Sequence, residues 1–239
     1  MSHPALRAAL PLQQPRLAHP ALADPVPALD TASHNAKCRQ IFDGARDVFL
    51  SAGFDGASMN DVARAAGVSK GTLYVYFDSK ERLFEALIRY DRTRQAEHLC
   101  QFDVSDRDVR GVLRRFGVDL LETMTQPGHV AHLRTVLAVV AKFPQIGQAF
   151  FEAGPAVAIA RLSAYLAAQA ECGLLTLASP VHAAQQFLEL CKAGIYMGVL
   201  FGVKSQPTLP EIVAAIDRAV EAFLKIYVAA PADAGPPLP

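Results

Sequence analysis

Apolar residues recur every three or four positions through most of the chain between residues 35 and 228, which is the period of an amphipathic helix. Prolines, glycines and capping serines divide this pattern into predicted helices. They are expected at about residues 35–51, 59–66, 70–77, 80–94, 105–125, 129–142, 144–153, 155–171, 179–202 and 210–228. The alternation that a β-strand needs does not extend over a useful length, so the pattern predicts an all-α fold.

Two short helices are predicted to follow one another between Ser58 and Phe77. Ser58 can cap the first, with Asp61 three residues later as in a capping box. Gly67 can leave that helix with a positive φ, and Ser69 can cap the second helix directly afterwards. Two short helices joined by a tight glycine turn are typical of a helix-turn-helix.

The second of these helices has one anchoring side and one polar side. Leu73 and Phe77 fall on the side that can pack on a core. The opposite side and its flanks carry small, hydroxyl-bearing and aromatic residues, namely Gly71, Thr72, Tyr74, Val75 and Tyr76. Lys70 and Lys80 can contact the phosphates of DNA. Glycine in a helix costs about 1 kcal/mol relative to alanine, and a close approach of the helix backbone to the floor of a DNA groove would explain Gly71. The alternative is an ordinary helical hairpin with a solvated polar face.

The sequence reads GVSKGTLYVYF at residues 67–77 and DSKERLF at residues 78–84. These motifs resemble the DNA-binding signature of TetR-type transcriptional regulators, and the likeness covers about residues 36–94. The resemblance implies an N-terminal three-helix DNA-binding head in a homodimer, with the third helix in the major groove of a near-palindromic double-stranded DNA operator. The family's contact positions correspond here to Ser58, Asn60, Lys70, Gly71, Thr72, Tyr74, Val75, Tyr76 and Lys80.

The chain divides by composition into tails and helical parts. Residues 1–34 contain six prolines, which oppose regular helices, so a disordered Pro/Ala-rich tail or a wrongly assigned start is expected. Arg7 and Arg16 could alternatively form a minor-groove arm. We expect the helix-turn-helix domain at residues 35–80, a helical regulatory and dimerisation domain at 81–228, and a second disordered tail at 229–239.

Charge and cysteine content narrow the function classes. The formal net charge is zero, and residues 35–94 hold ten Lys or Arg against eight Asp or Glu, so DNA binding depends on where a few cations point. Four scattered cysteines without a Cys-x-x-Cys motif fit a reducing cytoplasm, with redox sensing as the alternative. His129 and His132 lack a nearby carboxylate, so we expect capping or solvated histidines and no metal or cofactor. The tail lacks the apolar run of a secretory signal.

Residues 193–203 are all apolar or glycine. This run is shorter than the ~20 residues that span a bilayer, so no membrane segment is predicted. Gly194, Gly198 and Gly202 form a smooth stripe that suits a close helix–helix contact. With the apolar face of the last helix, they predict half of an isologous four-helix dimer interface. The candidate contacts on that face are Ile216, Val220 and Phe223. The resemblance implies the same pairing, and packing within one chain is the alternative.

Residues 134–144, with Gly154 and Pro155 downstream, also resemble the C-terminal domain of the AefR-like subgroup. This likeness implies that the middle helices enclose an effector pocket. Candidate lining residues are Phe116, Leu120, His132, Val136, Phe150, Tyr165, Phe187, Cys191 and Tyr196. A mostly apolar lining would favour a small hydrophobic or aromatic effector, although core packing is the alternative for each residue.

The function expected from these features is that of a ligand-released homodimeric repressor. An activator or an effector-independent regulator on the same fold is the alternative. An all-α enzyme or adaptor is the rival class, but the sequence contains no paired carboxylates, nucleophile elbow, phosphate loop or metal cluster to support an enzyme.

Overall fold

The computed structural model describes residues 31–228, with side chains from residue 35, and this part of the chain is all-α as predicted. Its helices are α1 (Thr31–Gly56), α2 (Met59–Ala65), α3 (Lys70–Tyr76), α4 (Lys80–Leu99), α5 (Val109–Thr125), α6 (Pro127–Val139), α7 (Pro144–Ala153), α8 (Pro155–Glu171), α9 (Pro180–Lys192), α10 (Tyr196–Leu200) and α11 (Leu209–Tyr227). Apart from residues 31–34, the two predicted tails lie outside the described residues, as do Arg7 and Arg16. The chain divides into two units after residue 37, and the packing below is that of the second unit.

Four predicted serine caps start helices in the structure. The hydroxyl of each accepts a hydrogen bond from the backbone N–H three residues later at 3.0–3.3 Å, and these caps are Ser58, Ser69, Ser79 and Ser179. Each cap satisfies one of the N–H groups that a helix start leaves without a partner, which typically contributes about 1 kcal/mol. The local sequence therefore fixes where α2, α3, α4 and α9 begin.

The three helices of the head, α1 to α3, share a core with α4 and with residues from α6 and α7. Phe49, Phe54 and Phe84 form a cluster of rings whose centroids lie 4.6–5.9 Å apart. Phe54 reaches this cluster because Gly53, with φ 70°, breaks α1 where the helix was expected to end. Val136 and Ile146 complete the same core from outside the head.

Helix α4 joins the head core to a second core. Its first half contributes four apolar residues at helical spacing to the head core, namely Leu83, Phe84, Leu87 and Ile88. Cys100, directly after its end, belongs to a second core built mainly from α5, α8, α9 and α11. A movement of α4 would therefore change the packing of both cores.

The predicted continuous helix at residues 179–202 is wrong. Helix α9 ends at Lys192, Gly194 and Gly202 have φ of 79° and 73°, and only the short α10 forms between them. Glycine disfavours a helix interior and readily adopts positive φ, so closely spaced glycines favour turns here. A Cβ on Gly194 would meet nothing within 4 Å, and one on Gly198 would meet the adjacent Lys204. Gly194 and Gly202 therefore make turns and Gly198 lies inside α10, so the three glycines do not form a smooth stripe.

The predicted dimer contacts on the last helix also need correction. Ile216, Val220 and Phe223 are buried in the second core, where the Phe223 ring packs edge-on against Phe187 at 5.3 Å. The apolar stripe of α11 thus covers α5 and α9 of its own chain. These three side chains are not available to a second copy.

No helix within residues 31–228 is both long enough and apolar enough to cross a bilayer.

Candidate nucleic-acid interface and internal cavity

The turn between α2 and α3 has the geometry of a helix-turn-helix. Gly67 adopts φ 62°, and its N–H donates to the carbonyl of Arg64 at 3.2 Å. The N–H of Val68 donates to the carbonyl of Ala63 at 3.0 Å, which closes the end of α2. Gly67 has the turn role that the sequence predicted.

The residue that lets the helices of the head cross closely is Gly44, which the sequence analysis missed. A Cβ at Gly44 would lie 2.4 Å from the backbone nitrogen of Ala66. No side chain larger than hydrogen fits there without moving α1 away from α2. The only signal in the sequence was a glycine inside an otherwise good helix, where its low propensity calls for a packing reason.

Helix α3 presents its polar side outward. Leu73 is fully buried and anchors the helix, whereas Val75 is 76% exposed and Tyr74 45% exposed. Lys70 is exposed, and its Nζ lies 5.9 Å from the centre of the Tyr74 ring. Val75 and Tyr74 are exposed to solvent next to the cation of Lys70. This combination is typical of a surface that binds another molecule.

The remaining predicted contact positions are mostly at the surface. Ser58, Asn60 and Gly71 are exposed, and Thr72 is half-buried with its hydroxyl 2.8 Å from that of Ser69. A Cβ added to Gly71 would meet no atom closer than 3.8 Å. The packing of the chain therefore does not require glycine at this position.

Lys80 and Tyr76 are only partly exposed. The Nζ of Lys80 donates to the carbonyls of Phe54 and Ala57 at 2.8 and 3.0 Å and lies 4.5 Å from the centre of the Phe54 ring. The cation therefore joins the end of α1 to the start of α4, which is a packing role that the sequence did not predict. Tyr76 is half-buried against the head core, so only part of it faces solvent.

A cavity of about 250 Å³ lies among α4 to α10. Three predicted lining residues, Leu120, Phe150 and Tyr196, do line it. The other six do not, because they are packed in the two cores or beside them, and these are Phe116, His132, Val136, Tyr165, Phe187 and Cys191. The apolar period identified helices that face inward, but it could not separate a packed interior from a cavity wall.

The buried charged residue in the wall of this cavity is Arg92, which the sequence pattern did not single out. Arg92 is only 6% exposed, and burial lowers its pKa. Its Nη1 lies 3.2 Å from Nδ1 of His129, and its guanidinium carbon lies 5.0 Å from the centre of the Phe150 ring. Spacing was the missed signal, because Arg92 continues the four-residue repeat of buried positions through Phe84, Ile88, Arg92, Ala96 and Cys100.

Both histidines of the predicted pair lie inside the chain. His132 is buried and His129 is half-buried, which corrects the expectation of solvated or capping side chains. Burial, and next the charge of Arg92, lowers the pKa of His129 to about 3 and also lowers that of His132. At neutral pH the His129 ring is therefore uncharged, and a ring nitrogen can accept from Arg92. Within the described residues, no group of three or more potential metal ligands forms around them.

One residue before Arg92, helix α4 is connected to the head. Asp91 accepts hydrogen bonds from Nε and Nη2 of Arg46 on α1 at 3.1 and 2.7 Å. This two-point contact raises the pKa of Arg46. The same segment of α4 therefore contacts both the head and the cavity.

Comparison with known proteins agrees with this architecture. Residues 41–87 match the family model of bacterial regulatory proteins of the tetR family, and residues 111–229 match that of the C-terminal domain of AefR-like transcriptional repressors. The chain is 38% identical over 63 residues to the HTH-type transcriptional repressor AcnR of Corynebacterium efficiens, covering 26% of this chain and 34% of AcnR. It is 42% identical over 55 residues to the HTH-type transcriptional regulator UidR of Escherichia coli K12, covering 23% and 28%. The match thus spans about a third of the length of these curated relatives.

Solved structures extend the likeness over most of the chain. The Flavonoid-responsive Regulator FrrA is 32% identical with a TM-score of 0.68, over 81% of this chain and 98% of FrrA. A TetR-family regulator structure from Mesorhizobium loti has a TM-score of 0.74 at 24% identity, covering 84% of this chain and all of that chain, which supports the fold alone.

The exposed α3, the glycine turn and the helical C-terminal part define the chain as a helix-turn-helix regulator. It belongs to the TetR family of bacterial regulatory proteins. Family membership confirms the prediction of a DNA-binding regulator over an enzyme.

Proposed function

We propose that the protein is a cytoplasmic, homodimeric transcriptional repressor that binds a near-palindromic DNA operator and is released by a small molecule. The observation that carries the proposal is the outward side of α3, where Gly71 is open and Val75 and Tyr74 are held in water. The names of curated relatives such as AcnR favour repression over activation.

In this proposal α3 lies in the major groove, with Gly71 and Val75 nearest the base edges. Lys70 meets phosphate, and the hydroxyls of Thr72 and Tyr74 are further donors to the backbone. Ser58 and Asn60, at the start of α2, contact the DNA backbone through their side chains and through the N-terminus of the helix. Tyr76, which is half-buried, is a further contact position at the end of α3. Lys80 supports the head and does not bind DNA.

The second copy is proposed to pack against the exposed segment around α10. Met197, Phe201 and Val203 are apolar side chains that this chain leaves in water, with Phe201 72% and Val203 82% exposed. Several large apolar side chains left exposed in one short segment favour a contact with another protein chain. A symmetric dimer would place two α3 helices at half-sites one helical turn, or a multiple, apart.

Release by a ligand is supported by the position of the cavity. Its wall includes Arg92 on α4, and the preceding Asp91 is tied to Arg46 of the head. A ligand that favours a shifted α4 would change the separation of the two heads. A coupling free energy of about 1–3 kcal/mol changes operator affinity by roughly 5- to 150-fold. The name of the flavonoid-responsive FrrA favours an aromatic effector.

The test is binding to the DNA upstream of the protein's own gene, followed by fluorescence anisotropy. Val75→Glu adds a negative charge to the exposed side of α3, so we expect loss of specific binding with an unchanged thermal unfolding midpoint. Leu137→Glu, at an exposed position of α6, is the matched control and should bind like the unaltered protein. Operator binding by the Val75 variant at unaltered strength would contradict the proposal.

Dimerisation is tested separately by light scattering after size exclusion. We expect the mass of two chains for the unaltered protein and a shift towards one chain for Phe201→Glu. The Leu137 variant again serves as the control for adding a charge at an exposed apolar position. A monomer at all concentrations would contradict the dimer.

A further inference from the structure

The cavity contains a buried cation without an acidic partner. No Asp or Glu lines the cavity, and in the part of the chain that the structure describes Arg92 forms no ion pair. Within the same residues, its Nε is the buried side-chain nitrogen or oxygen without a hydrogen-bond partner. A guanidinium has five N–H donors and no acceptor, so each unused donor in an apolar interior is unfavourable.

The contacts that Arg92 does make only partly compensate for burial. His129 offers a neutral ring nitrogen at 3.2 Å, and Phe150 offers the face of its ring at 5.0 Å. Neither carries negative charge. Asp91 attracts the guanidinium without forming an ion pair with it, whereas a buried charge is normally paired. Arg92 therefore has donors available for an oxygen from outside the chain.

Lys192 is the other cation of the cavity wall, and it differs from Arg92 in both burial and pairing. Its Nζ forms an ion pair with Glu189 at 2.6 Å, on the exposed side of α9. A ligand oxygen would have to compete with this carboxylate. Arg92 is therefore the better anchor.

The rest of the wall is mostly apolar and includes Leu99, Leu120, Met124 and Leu133. Such a wall suits a hydrocarbon or aromatic body, whereas a few polar groups fix its orientation. At about 250 Å³ the cavity is smaller than the roughly 300–1,000 Å³ of pockets for drug-sized ligands. A compact molecule fits this volume best.

We infer that the cavity binds a compact, ring-bearing organic acid whose ionised oxygen pairs with Arg92 while its ring packs on the leucine and methionine side chains. This inference rests on the proposed function, because it names the chemical class of the effector. It predicts that the acid group, more than the ring, distinguishes ligands from other apolar molecules.

The experiment compares two acids with neutral alcohols of the same shape. The probes are 2-naphthoic acid against 2-naphthalenemethanol, followed by naphthyl fluorescence, and benzoic acid against benzyl alcohol, followed by calorimetry. The chain contains no tryptophan, so the naphthyl signal is not obscured by protein emission. A charge-assisted hydrogen bond contributes about 1.5–3 kcal/mol, so we expect at least one acid to bind roughly 10- to 100-fold more tightly than its alcohol.

Three variants assign the preference to a residue. Arg92→Met should abolish the preference for the acid, Arg92→Lys should retain part of it, and Lys192→Met should leave it unchanged. Because Arg92→Met removes an unpaired buried charge, its unfolding midpoint by circular dichroism should equal or exceed that of the unaltered protein. A purely structural Arg92 would instead lose stability in the Met variant.

Equal binding of acid and alcohol, binding of neither acid, or a preference that survives in Arg92→Met would each overturn the inference. The comparison of acid and alcohol on the unaltered protein needs no variant to fold. Operator binding is measured on the same preparation without any probe. A protein that binds its operator but shows no acid preference overturns this inference alone, and a protein that binds no operator overturns the proposed function.

Discussion

Asp91 and Arg92 are neighbours on α4, but their side chains contact different parts of the protein. Asp91 accepts two hydrogen bonds from Arg46 of the head, whereas the Arg92 side chain lines the cavity. If the turn of α4 that carries Asp91 and Arg92 moves, the surroundings of both side chains change together. In the proposed mechanism, this arrangement connects a ligand in the cavity to the head through α4.

The ion pair between Arg46 and Asp91 should contribute more to stability than an exposed pair. A double-mutant cycle with Arg46→Met and Asp91→Asn should give a coupling energy of about 1–3 kcal/mol, because the contact is two-pointed and partly buried. The free energy of unfolding is measured by urea titration. The cycle for the exposed pair of Arg110 and Glu221, which are 3.1 Å apart, is the control and should give under about 1 kcal/mol. Equal values for both pairs would contradict the connection.

A substitution at Gly71 should affect operator affinity without lowering the stability of the fold. Gly71→Ala should leave the protein as stable as before or up to about 1 kcal/mol more stable, since the added methyl group meets nothing within 3.8 Å. Operator affinity should nevertheless fall about 10-fold or more, because the methyl group would stand between α3 and the groove floor. Anisotropy and thermal unfolding measure the two effects. Gly128→Ala, another open glycine far along the chain on α6, should change neither operator affinity nor its salt dependence.

Lys70 and Lys80 should respond differently to the same substitution. Lys70→Ala should weaken operator binding and reduce the slope of log affinity against log salt by about 1, as expected for one phosphate contact. Lys80→Ala should lower the free energy of unfolding, because it removes two hydrogen bonds to the carbonyls of Phe54 and Ala57. Its salt slope should stay unchanged. A reduced slope for the Lys80 variant would restore the phosphate contact predicted from the sequence.

The buried histidines make stability depend on pH in the acid range. The pKa of His129 is lowered to about 3, by burial and then by Arg92, whereas an unfolded histidine titrates near 6.5. Between these values the unfolded state binds more protons than the folded state, so the free energy of unfolding falls as pH falls. The limit is about 1.4 kcal/mol per pH unit for each such group. Urea titrations from pH 7 to pH 4 should show this slope.

His129→Gln should remove part of that slope, and His182→Gln, at an exposed position on α9, should leave it unchanged. His132 remains in the His129 variant, so some slope should persist. Asp91 favours the protonated form of His132 and Arg92 opposes it, so the two histidines are not expected to contribute equally. A slope that is the same in all three proteins would contradict the assignment.

Features fixed by a few neighbouring residues could be predicted from the sequence. The caps at Ser58, Ser69, Ser79 and Ser179 and the turn at Gly67 depend on local hydrogen bonds and backbone freedom, and each is present. The outward side of α3 followed from its period.

Features that depend on residues far apart in the chain could not be predicted. Gly194 lies in an apolar run whose hydrophobic pattern alone does not distinguish a continuous helix from a helix interrupted by a turn. Lys80 and Arg92 look like surface cations, but the carbonyls and rings that surround them come from distant segments. Gly44 is needed because α2 crosses there, which the local sequence does not encode.

The head core contains Val136, Val139 and Ile146, which follow the helix-turn-helix by more than fifty residues in the sequence. A fragment cut after α4 would expose the apolar surface that these side chains cover and would have a strong tendency to aggregate. The DNA-binding part therefore does not contain its whole core. An exchange of this part between regulators would have to include the α6 and α7 segment that completes the core.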